Sequence, residues 1–187
     1  MEYTSYWDDV LTKDQCEDII TRFEADKEYH EDTFLEGHRH FTELNITRRA
    51  DKWSDVQNLL LDKMELYLPK YKHIFNIDEK VWPEQLGFEQ FRMKKYEANG
   101  KDEFAFHADV GNHASARRFL VFFWYLNDVH VGGETTFQKH RRARVERTVQ
   151  AKQGRLLVFP PFWTHPHSGM KPISGSKYII GGYLHYL

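Results

Sequence analysis

Apolar positions at helical spacing mark the first element. In KDQCEDIITRFEAD, Cys16, Ile19, Ile20 and Phe23 fall on one face. Thr12 stands at the N-cap with Gln15 three residues on, the pair that closes a capping box. A second stripe, Val56, Leu59, Leu60, Met64, Tyr67 and Leu68, predicts a helix that opens at Ser54 and is stopped by Pro69. Residues 7–10 read as a short entry strand, 29–40 as a polar loop around Gly37, and 41–46 as a strand.

After Pro83 the period changes. Short β-rich runs follow one another between turn residues: 86–96, 103–109, 118–126, 134–137, 145–150, 155–159 and 176–186, with Asn99-Gly100 and Gly132-Gly133 as turn signals. The run RFLVFFWYL is almost wholly apolar and must be buried on both faces. About eight short strands after two helices predict an α+β fold: a double-stranded β-helix (jelly roll, cupin-like) braced by N-terminal helices. The expected organisation is a single domain, 1–187, with helical support over roughly 1–85 and the jelly-roll core over roughly 86–187.

Composition narrows the functional classes. Hydrophobic residues are 41% of the 187, enough for a sizeable core, and the formal net charge of −2 creates no global field that recruits nucleic acid or a membrane. The single cysteine, Cys16, excludes an internal disulfide framework and reads as a small buried hydrophobe. There is no long apolar run, and MEYTSYWDDV lacks the features of a signal peptide, so a cytoplasmic protein is expected. The 11 histidines are many for this length, and histidine is the commonest metal ligand.

Two of the residues that could hold a metal lie in FAFHAD. His107 and Asp109 are at i and i+2, so on a strand they project into one cavity. That is two thirds of a 2-His-1-carboxylate set, which leaves positions open on Fe(II); alone, the pair also reads as two polar residues at a strand end. A third ligand is available in PPFWTHPHSG, where His165 and His167 are again i and i+2 and direction does not choose between them. Ten residues beyond His167, Lys177 opens the apolar last strand. An inward ammonium there needs an anion, from a protein carboxylate or a ligand.

The ordered set resembles the Fe(II)- and 2-oxoglutarate-dependent dioxygenases, in particular the prolyl 4-hydroxylase-like branch. Tyr96 and Gly100 precede FAFHAD, and FFWYLND, GGETTF, AKQGRLLVFP and HSGMKPISGSK follow; the likeness covers residues 86–187, with a weaker echo in DDVLTKDQCEDII. The resemblance implies iron ligands at His107, Asp109 and His167, and a cosubstrate carboxylate gripped by Lys177 with Tyr96 as second donor and Thr135 lining the same pocket. It implies Fe(II), 2-oxoglutarate and O2 as cofactor and cosubstrates, ascorbate as a further cofactor, and hydroxylation of an unactivated C–H bond, prolyl in a peptide or protein. In the family the basic residue stands ten positions after the distal histidine; Lys177 lies ten residues from His167 and twelve from His165, so the resemblance implies His167 as the ligand. His165 is then a neighbour at the mouth of the site.

Three more residues complete the expectations. Trp163 is read as core packing, with a substrate-facing ring as the alternative. Arg118 is read as a surface ion pair, with a turn toward the site as the alternative. His113, in the loop after FAFHAD, is a candidate for substrate contact with no assigned role. The basic run KHRRAR, residues 139–144, reads first as a solvated loop, then as a rim attracting an acidic substrate segment, and last as a nucleic-acid patch. Two other classes compete with the oxygenase: a non-catalytic jelly-roll module binding metal or a small acid, and a zinc hydrolase, which lacks an evident carboxylate base. An intact triad together with Lys177 separates the oxygenase from the binding module.

Overall fold

The computed structural model describes residues 2–187, and its first helix starts where the side chains dictate. The Gln15 amide donates to Thr12 Oγ1 and the Thr12 amide to Gln15 Oε1, which satisfies two otherwise unpaired donors. Helix α1 (Lys13–Ala25) then buries Cys16, Ile19 and Phe23. Burial pushes the Cys16 thiol up to about 11, consistent with a packing role. Helix α2 (Ala50–Ile74) buries Trp53, Val56, Leu60, Met64 and Tyr71. It exceeds both expected limits, beginning before Ser54 and carrying Pro69 inside. The turn after Pro69 is held by tertiary contacts: Tyr71 is buried and its hydroxyl donates to Tyr3 O at 2.7 Å.

The strands are β1 (Ser5–Trp7), β2 (Glu31–Leu35), β3 (Arg39–Asn45), β4 (Leu86–Phe88), β5 (Arg92–Tyr96), β6 (Glu103–His107), β7 (Arg118–Tyr125), β8 (Thr135–Phe137), β9 (Arg147–Val149), β10 (Leu156–Phe159), β11 (His167–Gly169) and β12 (Lys177–Tyr186). They make one curled antiparallel sheet in the order β1-β10-β7-β12-β5-β3-β6-β11-β8-β9, with β2 added to β3 and β4 to β12. This is the expected double-stranded β-helix. The expected loop over 29–40 is instead half of a hairpin, β2 on β3, turned at Gly37 with φ of 65°. Its second strand sits in the sheet between β5 and β6.

Alternation along the apolar strands explains their composition. In β7, Leu120, Phe122 and Trp124 join the core against α1 and α2, while Val121 and Tyr125 join a second core inside the curl. Strand β10 divides likewise, Leu156 and Val158 outward, Leu157 and Phe159 inward. Each such burial contributes about 1.5–3 kcal/mol. The register then fixes what else faces inward. Lys177 lies opposite Tyr96, Ile179 opposite Lys94 and Gly181 opposite Arg92, while Ile179 and Tyr183 also meet Tyr125 and Val121. Cross-strand partners share a face, so these side chains line one interior.

Candidate metal centre

His107 ends β6 and His167 opens β11, and the two are direct cross-strand partners. Asp109 lies two residues past His107, where its amide and that of Val110 donate to Pro161 O at 3.0 and 3.1 Å. Each imidazole is held by a hydrogen bond from Nδ1 to a carbonyl two residues back: His107 to Ala105 O at 2.7 Å, His167 to His165 O at 3.1 Å. Those bonds fix the tautomer with the lone pair on Nε2. Both Nε2 atoms point at Asp109, 3.6 Å from Oδ1 for His107 and 3.6 Å from Oδ2 for His167. The three groups offer ligand atoms within 4.8 Å of one another.

Two of these atoms, His107 Nε2 and Asp109 Oδ2, are buried without a hydrogen-bond partner among the described residues. Orphaned buried polar atoms are costly, and a cation between them removes the cost. Two imidazoles and one carboxylate on one side of a cavity fit Fe(II) with open positions. The protonation states agree. Burial holds the His167 imidazole down to about 4 against the pull of Asp109, so it is neutral at pH 7. Burial would raise the Asp109 carboxyl, but His167, His107 and the Tyr183 hydroxyl outweigh it and hold the group well below the usual carboxylate range. Tyr183 donates to Asp109 Oδ1 at 2.7 Å, leaving Oδ2 as the free oxygen.

The centre opens on a cavity of about 60 Å³ whose lining includes Tyr96, Thr135 and Lys177. Lys177 is 2% exposed and has no carboxylate within ion-pair distance among the described residues. Burial lowers its ammonium to about 7, with Glu134 opposing. Its Nζ lies 4.3 Å from the centre of the Tyr96 ring. Thr135 is buried at the same end, its Oγ1 accepting from the Tyr125 hydroxyl at 2.7 Å.

The remaining expected residues separate. His165 precedes β11 rather than lying on it, so the i, i+2 rule does not hold. Its ring turns away to Glu2 O at 2.6 Å and lines a different cavity with Tyr71 and Trp82. Only its carbonyl serves the centre. Trp163 is 81% exposed, which overturns core packing, and it lines neither cavity beside the centre. Arg118 does both things weighed for it: Nε and Nη2 bind Glu89, each at 2.8 Å, while Nη1 donates to Asp109 O at 3.2 Å. The run at 139–144 is largely exposed, as a solvated loop should be.

Sequence reasoning missed three residues. Tyr183 lies six places beyond Lys177 on the same strand face, a parity that period-two counting along β12 exposes. Lys94 stands two places before Tyr96 and lines the cavity with it. His38, read as a loop residue, packs with its ring 5.9 Å from that of His107; only the insertion of β3 beside β6 brings it there, and no local signal announces it.

Comparison with known proteins points the same way. The model of the 2OG-Fe(II) oxygenase superfamily matches residues 91–185, which spans His107 through Tyr183. No curated protein matches. Among solved structures, a collagen prolyl hydroxylase of Paramecium bursaria Chlorella virus-1, in complex with 2OG, superposes with a TM-score of 0.73 at 17% identity over 100% of this chain and 97% of that one. A Pseudomonas putida prolyl-4-hydroxylase gives 0.71 at 18%, over 100% and 94%. A Trichoplax adhaerens prolyl hydroxylase, bound to a peptide fragment of the hypoxia inducible factor oxygen degradation domain, gives 0.76 at 14%, over 99% and 84%. At these identities the structural likeness speaks for the fold. The match over 91–185, where the two histidines, the aspartate and the buried lysine all lie, makes the chain a member of the 2OG-Fe(II) oxygenase superfamily.

Proposed function

We propose that this chain is a hydroxylase that acts on a prolyl residue of a peptide or protein. The observation that carries the reading is the convergence of His107, Asp109 and His167 on one point beside a buried Lys177 that has no ion-pair partner among the described residues. Fe(II) would be held by His107 Nε2, Asp109 Oδ2 and His167 Nε2. When bound, Fe(II) with 2-oxoglutarate and O2 supplies the oxidising chemistry: one oxygen atom goes into the substrate C–H bond, the other into succinate, and CO2 leaves.

The chain's own part is positioning. The Ala105 and His165 carbonyls orient the two imidazoles, and the Tyr183 hydroxyl orients the carboxylate. The Lys177 ammonium takes the far carboxylate of 2-oxoglutarate through a charge-assisted contact of about 1.5–3 kcal/mol. Tyr96 is its second donor, and Thr135 bounds the pocket beside it. Val121, Phe123 and Ile179 form the apolar wall of the cavity, which keeps water from the reacting atoms. Ascorbate joins Fe(II) in this reading as a further cofactor. A cytoplasmic location is supported by a lone, buried Cys16, and no helix among the described residues is long and apolar enough to cross a membrane. The chain is read as one domain, with residues 1–85 roughly supporting and 86–187 roughly forming the catalytic core. The peptide class draws support from the peptide bound to the Trichoplax enzyme.

Iron-loaded protein should release succinate slowly from 2-oxoglutarate alone and faster with a prolyl peptide. His167→Ala should release none. Absence of succinate across a broad peptide and amino-acid panel sinks the reading.

A further inference from the structure

A second cavity, of about 430 Å³, adjoins the metal centre and shares Lys94, Val121, Phe123, Ile179 and Tyr183 with its smaller neighbour. The charged groups lining it are Glu89, Arg92, Lys94 and Arg118, with His185 beside them. These charges do not cancel. Arg118 is engaged by Glu89 in a two-pronged ion pair. Arg92 donates to Oε1 of buried Glu43. Lys94 is left over. The one carboxylate within ion-pair distance among the described residues is the other oxygen of Glu43, 4.0 Å away and belonging to a group that Arg92 already neutralises, while Asp109 acts on the ammonium from farther off.

The Lys94 ammonium otherwise faces aromatic rings, 4.8 Å from the centre of Phe41 and 5.7 Å from that of Phe104. The side chain keeps 20% exposure, and the ring contacts offset only part of the hydration it has lost. Burial accordingly lowers its pKa, with Glu43 and then Asp109 opposing. The far carboxylate of the cosubstrate does not meet this need, because Lys177 sits in place for it. Along the inward face of β5 the order is Tyr96, Lys94, Arg92, paired with Lys177, Ile179 and Gly181. Lys94 is therefore one step from Lys177 toward the larger cavity, between the cosubstrate end and the space left for a substrate.

We infer that Lys94 binds a carboxylate of the substrate, so the molecule hydroxylated carries an anionic group close to its reacting carbon. The inference rests on the reading of the centre as an oxygenase site. The carboxylate has two sources, the α-carboxylate of a free or C-terminal residue, or the side chain of an acidic residue within a peptide.

The test is calorimetric titration of protein loaded with Mn(II) and N-oxalylglycine, an inert mimic of the cosubstrate. Two probe pairs are used: N-acetyl-L-proline against its amide, and acetyl-Asp-Pro-amide against acetyl-Asn-Pro-amide. In at least one pair the acid should bind about tenfold more tightly than its neutral partner, and the pair that does so identifies the source. That preference should fall to within about twofold in Lys94→Gln and persist in Lys94→Arg. Lys94→Met, which keeps the stem, gives the same loss if the Gln variant does not fold. Equal binding of acid and amide in both pairs overturns the inference, as does failure of all four to bind or a preference that Lys94→Gln retains. N-oxalylglycine binding separates this from the underlying reading: it should vanish in His167→Ala and weaken in Lys177→Ala. If Lys94→Gln weakens it as much as Lys177→Ala does, Lys94 belongs to the cosubstrate and the inference fails.

Discussion

Two histidines separated by one proline do different work because one lies on a strand and the other before it. His167 aims Nε2 at Asp109, whereas His165 gives the centre only its carbonyl. His167→Ala should therefore abolish stoichiometric Mn(II) or Fe(II) binding. His165→Ala should keep the metal, since the carbonyl survives the substitution, yet lose about 1–3 kcal/mol of stability with the ring's bonds to Glu2 O and Thr164. Metal titration and urea melts of both variants check this, and metal loss in His165→Ala alone reverses the assignment. Lys177 answers to the same logic. Removing a charge-assisted contact of about 2 kcal/mol should weaken 2-oxoglutarate about thirtyfold. Equilibrium binding with Mn(II) in place measures it, and an unchanged affinity in folded Lys177→Ala removes that residue from the pocket.

At the scale of elements, local chemistry and tertiary context can be told apart. The α1 cap is local: Thr12→Ala should cost about 1 kcal/mol, read as a shift in urea midpoint without a change of slope. The C-terminal turn of α2 is not. Pro69 removes a helical hydrogen bond, and Tyr71 beyond it is held by burial and by Tyr3 O. Pro69→Ala should stabilise the protein, by about 1 kcal/mol or more, because the helix continues past that point in any case; a destabilised variant would mean the ring itself is needed for packing. The same division explains what could be read from the chain. The capping box, the strands after residue 86, and the pair His107 and Asp109 were legible because each is a short-range pattern, whereas joining them to His167 and Lys177 rested on the resemblance of the ordered motifs to a family. The hairpin was not, since β2 has both faces largely exposed and so shows no apolar alternation. His38 was not, because its place beside His107 follows from sheet order alone. Tyr183 was legible in principle, by counting in twos from Lys177.

The whole molecule carries the cost of its site. Burial brings the Lys177 ammonium from 10.5 down to about 7, while the unfolded chain keeps the ordinary value. Between those two pH values the folded state binds fewer protons than the unfolded one, so this group makes stability rise with pH across that window. Below about pH 7 the buried charge opposes folding in full. Lys177→Met should therefore melt at a higher temperature than the wild type at pH 6, with the gap closing as pH approaches 10, in protein free of metal and cosubstrate. A bound carboxylate reverses the preference by favouring the ammonium. Loading Mn(II)-protein with N-oxalylglycine at pH 8 should then take up protons at Lys177, and affinity should fall as pH rises further. Calorimetry in buffers of different ionisation enthalpy reads the uptake directly. The uptake should be absent in Lys177→Met, and a wild type that binds the mimic without taking up protons would place an already charged ammonium, or no ammonium, against the ligand.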